Sequence, residues 1–147
     1  METVSREQIA LDSEVVSNPT SALRILFADD SASIRWVIQR YLEGLGHSVH
    51  VVDDGRQAVE AVRQRAFDVA ILDLFMPSMD GGEAAAQIRK HAAATKQPVF
   101  IICATSHHVK NLGEQWDETL FDAVLSKPFD GEDLARILAE LPHHLEA

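Results

Sequence analysis

Asp29, Asp30 and Asp73 stand at the ends of short apolar runs, and Lys127 stands just past another. The acid pair follows Arg24-Ile25-Leu26-Phe27-Ala28, and Asp73 follows Val69-Ala70-Ile71-Leu72. A third run, residues 99–104, ends at Thr105 and Ser106; a fourth, Ala123-Val124-Leu125, leads to Ser126, Lys127 and Pro128. Carboxylates gathered in one place repel one another unless a proton or a cation intervenes. A hard cation with oxygen ligands, Mg2+ before others, answers that repulsion. Lys127 adds a movable positive charge on the far side. A cation, an ammonium group and a spare carboxylate suit phosphoryl chemistry, because a carboxylate attacks phosphorus once the incoming oxygens are neutralised.

These residues lie far apart in the chain, so the fold must bring them together. Short apolar runs alternating with amphipathic helices indicate βαβ units and a parallel sheet. Ligands of such sheets bind outside the carboxyl ends of the strands, where all four apolar runs deliver their polar residues. After the first strand, Ile34, Val37, Ile38, Tyr41, Leu42 and Leu45 recur at helical spacing, and Gly44 and Gly46 close the helix. Strands are expected at residues 47–52, 67–72, 99–104 and 123–126, with helices at residues 56–65, 84–94 and 107–120. Gly113 weakens the last of these. Met76-Pro77-Ser78-Met79-Asp80-Gly81-Gly82 reads as a turn-rich loop. Asp130 suits the N-cap of a final helix with Leu134, Ile137, Leu138 and Leu141 on one face. The fold class is therefore α/β, a doubly wound five-stranded parallel sheet flanked by five helices. Residues 1–22 differ in character and end in the loop signal Ser17-Asn18-Pro19-Thr20-Ser21. They are expected to be a flexible N-terminal extension, although residues 3–16 also fit a short amphipathic helix. The compact domain is expected over residues 23–147.

At 147 residues the chain is long enough for one cored domain. With 23 Asp and Glu against 13 Lys and Arg, a net charge of −10 disfavours nucleic acid or an anionic membrane as partner. Cys103 is the single cysteine, which excludes an internal disulfide and a multi-cysteine zinc site and fits a reducing cytoplasm. Met1-Glu2-Thr3 lacks the basic start and apolar run of a secretion signal. No apolar stretch approaches the ~20 residues that span a bilayer.

Taken in order, Ile25-Leu26-Phe27-Ala28-Asp29-Asp30, Asp73-Leu74-Phe75-Met76-Pro77-Ser78-Met79-Asp80-Gly81 and Lys127-Pro128-Phe129 resemble the receiver domain of bacterial two-component response regulators. This is the flavodoxin-like, doubly wound family that includes the chemotaxis response regulator, and the resemblance covers residues 23–141. It implies that Asp73 is the phosphoacceptor and that Asp29, Asp30 and Asp73 hold Mg2+, Asp30 more directly than Asp29. The backbone carbonyl of Phe75 would complete the protein ligands. Lys127 would pair with Asp73 and then with the phosphoryl oxygens, and Pro128 would follow a cis peptide.

Two positions depart from the family's pattern. Counting from Pro98 places the family's switch hydroxyl at Cys103, whereas counting back from Lys127 places it at Thr105. A thiol is a poor donor to phosphoryl oxygen, which favours Thr105 with Cys103 as the alternative. Val124 stands where the family carries Tyr or Phe. Neither change removes the acid and lysine set.

The expected function is a stand-alone, single-domain response regulator, cytoplasmic and without membrane insertion. It would take a phosphoryl group from a sensor histidine kinase or a histidine phosphotransfer protein. With no segment after Leu141 for an output domain, it would signal by contact with a downstream protein target. It would not be an enzyme beyond promoting its own phosphorylation and dephosphorylation. The alternative is a degenerate receiver that binds partners without phosphorylation. A haloacid dehalogenase-type phosphatase would need an acid two residues after its nucleophile, where Phe75 stands, and a flavin phosphate would be repelled by Asp29 and Asp30. Cys103 is also expected to pack as a small apolar residue. His107 and His108 are expected to face solvent, Trp116 to pack, and Trp36 to be partly buried against a neighbouring helix, with a docking contact as its alternative.

Overall fold

The computed structural model describes residues 22–106 and 117–141. Its strands are β1 (Arg24–Ala28), β2 (Ser48–Val52), β3 (Val69–Asp73), β4 (Phe100–Thr105) and β5 (Ala123–Ser126). Its helices are α1 (Ala32–Gly44), α2 (Gly55–Gln64), α3 (Gly81–Thr95) and α4 (Gly131–Ala139), with a 3-10 turn at Glu118–Leu120. The strands form one sheet in the order β2-β1-β3-β4-β5, and every neighbouring pair is parallel. Chain order reverses at β1 and β3, so the crevice at their carboxyl ends is the topological switch point.

Alternation along the strands sorts the core into two layers. Leu26, Ala28, Ala70, Leu72 and Ile101 pack with Ala58, Val59 and Val62 of α2 and with Ala84, Ala85 and Ile88 of α3. Ile25, Phe27, Val69, Ile71, Ile102 and Ala104 pack with Ile38 and Leu42 of α1 and with Leu134 and Leu138 of α4. Both faces of the sheet are covered, which is why its central strands read as nearly continuous apolar runs.

Each helix begins with an oxygen-bearing side chain that caps its first turn. Ser31, Asp54, Asp80 and Asp130 accept from the N–H groups of Ile34, Gln57, Glu83 and Asp133 respectively. Asp133 returns the favour to the Asp130 N–H, completing a capping box on α4. Helix α3 begins three residues before the start expected from sequence. Asp80 is its cap, and the Asp80-to-Glu83 spacing is the start signal hidden inside a turn-like stretch.

The apolar face of α1 is narrower than its spacing suggests. Ile38 and Leu42 are buried and Ile34 and Tyr41 pack beside them, but Val37 and Leu45 are about half exposed. Trp36 is 61% exposed, contrary to the expected partial burial, and the Arg40 guanidinium lies over its ring at 4.9 Å. Of the helix expected at residues 107–120, the 107–116 portion lies outside the described residues, and so do His107, His108 and Trp116. The extension 1–21 lies outside them too. Among the described residues no helix is long and apolar enough to cross a membrane.

Candidate functional site

Strand parity places the central groups. Asp29 continues the Ile25 and Phe27 side of β1, Asp73 the Val69 and Ile71 side of β3, and Lys127 follows Leu125 at the end of β5. All three therefore leave the sheet on the face that α1 and α4 cover, at one edge. Oxygens of Asp29, Asp30 and Asp73 lie within 4.8 Å of one another. The Lys127 Nζ donates to Asp29 Oδ2 at 2.7 Å and to Asp73 Oδ2 at 3.1 Å. The Lys127–Pro128 peptide is cis, as the resemblance implied.

Asp29 is fully buried and fully committed. Its Oδ1 accepts the Ser31 N–H at 2.8 Å, its own N–H donates to the Val52 carbonyl at 3.2 Å, and its carbonyl accepts Arg35 Nη1 at 2.7 Å. Asp73 is also oriented at both oxygens, since its Oδ1 accepts the Phe75 N–H at 3.3 Å. Asp30 is exposed, and its carboxylate has no hydrogen-bond or ion-pair partner among the described residues. Of the three acids it alone keeps both oxygens available for a cation.

The electrostatics follow from two buried acids sharing one ammonium. Burial raises the Asp73 carboxyl above the usual carboxylate range; the Lys127 hydrogen bond and charge oppose this, and the Asp29 charge adds to it. Burial alone would lower the Lys127 ammonium, but hydrogen bonds to Asp29 and Asp73 and the charges of both outweigh it and hold its pKa high. Among the described residues, three carboxylates stand against one contacting ammonium and leave an excess of negative charge, and the oxygen donor set is the kind a hard divalent cation takes.

Thr105 and Cys103 flank Ala104, which pairs with Asp73 across β3 and β4. Thr105 is buried and its carbonyl accepts the Lys127 N–H at 2.9 Å, tying the end of β4 to the lysine. Cys103 is fully buried in a small cluster with Leu74 and Phe121. Its thiol is pushed up to about 12, first by burial and then by the Asp73 charge. Phe75 is exposed and borders a cavity of about 360 Å³ with Leu74, Asp80, Gly82, Glu83 and Leu120. Val124 is 41% exposed on the edge strand β5.

Three contributors were not visible from spacing. Ser31 both caps α1 and tethers Asp29, and Arg35 reaches back to the Asp29 carbonyl. Gly81 lets α3 start against β3, since a Cβ there would overlap the Asp73 carbonyl and the Leu74 Cα. The acid-cap spacing of residues 80–83 was the one available signal for the third.

The fold is shared with CheY-like receivers. The chemotaxis response regulator CheY4 of Vibrio cholerae matches with a TM-score of 0.72 and 28% identity over 81% of this chain and 98% of that one. The response regulator receiver domain pattern matches residues 25–139, and the chain belongs to that family. Such domains serve two-component signalling, and their fold supports phosphoryl acceptance. The receiver domain of a Pseudomonas aeruginosa PAO1 sensor histidine kinase, solved with a magnesium ion coordinated in its active site cleft, is 30% identical, with a TM-score of 0.69 over 80% of this chain and 95% of that one. The sensor protein GacS of Pseudomonas syringae pv. syringae is 35% identical over 118 residues, which are 80% of this chain and 13% of that protein. The chain thus spans about an eighth of the length of that relative.

Proposed function

We propose that this domain accepts a phosphoryl group on Asp73 from the phosphohistidine of a sensor histidine kinase or a histidine phosphotransfer protein. One observation carries the reading: Asp73 is held at 3.1 Å from the Lys127 ammonium and within 4.8 Å of an acid pair from the adjacent strand. A carboxylate oxygen of Asp73 attacks phosphorus while the P–N bond breaks. The imidazole leaves with the bonding electrons and takes up a proton from solvent. Lys127 turns from the Asp73 oxygen to a phosphoryl oxygen, serving as a mobile charge. Mg2+, when bound, would neutralise the phosphoryl oxygens; Asp30, Asp29, Asp73 and the Phe75 backbone carbonyl are its proposed ligands. The uncommitted Asp30, the excess negative charge and the magnesium in the similar P. aeruginosa receiver support that assignment.

Thr105 is the proposed hydroxyl that bonds the transferred group, with Cys103 as the alternative. The neutral thiol at Cys103 and the link from the Thr105 carbonyl to Lys127 support this order. The proposed receiver unit is residues 23–147, acting in the cytoplasm and passing its altered surface to a protein target.

Acetyl phosphate with Mg2+, followed by intact mass, tests the chemistry. The mass should rise by one phosphoryl group, and Asp73→Asn should abolish the rise. Unchanged labelling of Asp73→Asn would remove Asp73 from its role.

A further inference from the structure

We propose that Arg35 is a positioning residue of the cation site, fixing the peptide between Asp29 and Asp30 and so aiming the Asp30 carboxylate. The inference rests on the cation reading given above. Asp30 has no side-chain partner among the described residues, so among them only the main chain restrains where its carboxylate can reach. That main chain is tied at three points. The Asp29 N–H donates to Val52, the Ser31 N–H donates to Asp29 Oδ1, and Arg35 Nη1 donates to the Asp29 carbonyl at 2.7 Å.

The first bond fixes the amide before Asp29, and the second closes the turn through a side chain. Only the third grips the peptide plane that leads into Asp30. Because that unit is planar, holding its C=O restrains the Asp30 nitrogen and Cα. The Ser31 N–H bond to Asp29 Oδ1 holds the peptide that follows, so the two together restrain the rotation about the Asp30 N–Cα bond that aims Cβ. Arg35 is well placed to hold that C=O. Its own N–H donates to the Ser31 carbonyl at 3.0 Å within the first turn of α1, so the guanidinium works from a rigid base.

The sign of the effect separates positioning from simple charge. A positive group beside a cation site disfavours the cation through space, so removing it would tighten binding if charge were its whole role. A positioning residue does the reverse: groups that orient ligands from behind are worth about 10–100-fold in metal affinity.

The test is Mg2+ titration of the full chain, followed by amide NMR shifts, for the native protein, R35M, R35Q, R35K and D30N. R35M should weaken binding by about tenfold, R35K should lie closer to the native protein, and D30N should bind least. Amide spectra without metal establish that each variant is folded, and R35Q decides if R35M is not. Equal or tighter Mg2+ binding by the folded neutral variants would overturn the proposal while leaving the cation site standing. A native protein that does not respond to Mg2+ would overturn the cation reading itself, and the role of Arg35 with it.

Discussion

The ion pair between Arg24 and Asp68 shows single residues securing the end of the sheet opposite the site. Arg24 Nη2 lies 2.8 Å from Asp68 Oδ1, and the Arg24 N–H also donates to Asp68 Oδ2 at 2.8 Å. Burial works to raise the Asp68 carboxyl, but the Arg24 hydrogen bonds and charge outweigh it and hold the pKa below the ordinary value of 3.8. A depressed carboxyl contributes stability above its unfolded pKa and loses it as pH falls through the folded one. Asp68→Asn should therefore reduce stability by a roughly constant 0.2–1 kcal/mol above about pH 5, a small value because the partly exposed pair is screened by solvent. The gap between the two proteins should close below pH 3.8, and denaturant melts across that range check it. The acids and the lysine of the site were legible in sequence because each follows a strand, and strands in a parallel sheet deliver their ends to one edge. Arg35 was not, since a guanidinium bonded to a backbone carbonyl leaves no trace in residue spacing. Cys103 and Thr105 stayed ambiguous for a geometric reason: residues two apart on a strand share a face, so parity cannot separate them.

Among the elements, α3 starts directly against the end of β3, and Gly81 is what permits it. Gly81→Ala should cost about 1–3 kcal/mol, because the new methyl meets the rigid backbone of Asp73 and Leu74. It should also slow phosphoryl uptake by moving Asp73. Gly82→Ala is the control. Its Cβ would meet only the Asp80 Oδ1 at 3.4 Å, and stability should hold or rise slightly from the better helix propensity. Equal losses from both substitutions in thermal melts would contradict the close-approach argument. The strands and most helices were readable from period alone. What period could not show was how much of a helix stripe the sheet covers. On α1 the stripe from Ile34 to Leu42 is used, while Val37 and Leu45 remain outside. The start of α3 was missed because Asp and Gly signal a turn and a helix cap alike.

For the whole molecule, the site and the fold are thermodynamically coupled. A cation that binds only the folded arrangement stabilises it by mass action, by about 2.7 kcal/mol at a hundredfold excess over the dissociation constant. Thermal melts with and without Mg2+ should separate for the native protein, and Asp30→Ala should merge the two curves. Absence of any separation in the native protein would argue against a cation site. The parallel doubly wound architecture was legible at this scale, because five apolar runs alternating with helices leave few other ways to bury both sheet faces. The distances in sequence bridged by Lys127 have a further consequence. Its bonds to Asp29 and Asp73 span 98 and 54 residues. During synthesis both acids therefore leave the ribosome well before the one ammonium that answers them. A copy arrested or clipped ahead of β5 has these acids without the ammonium that pairs with them, so this part of the site is finished only when the last strand is in place.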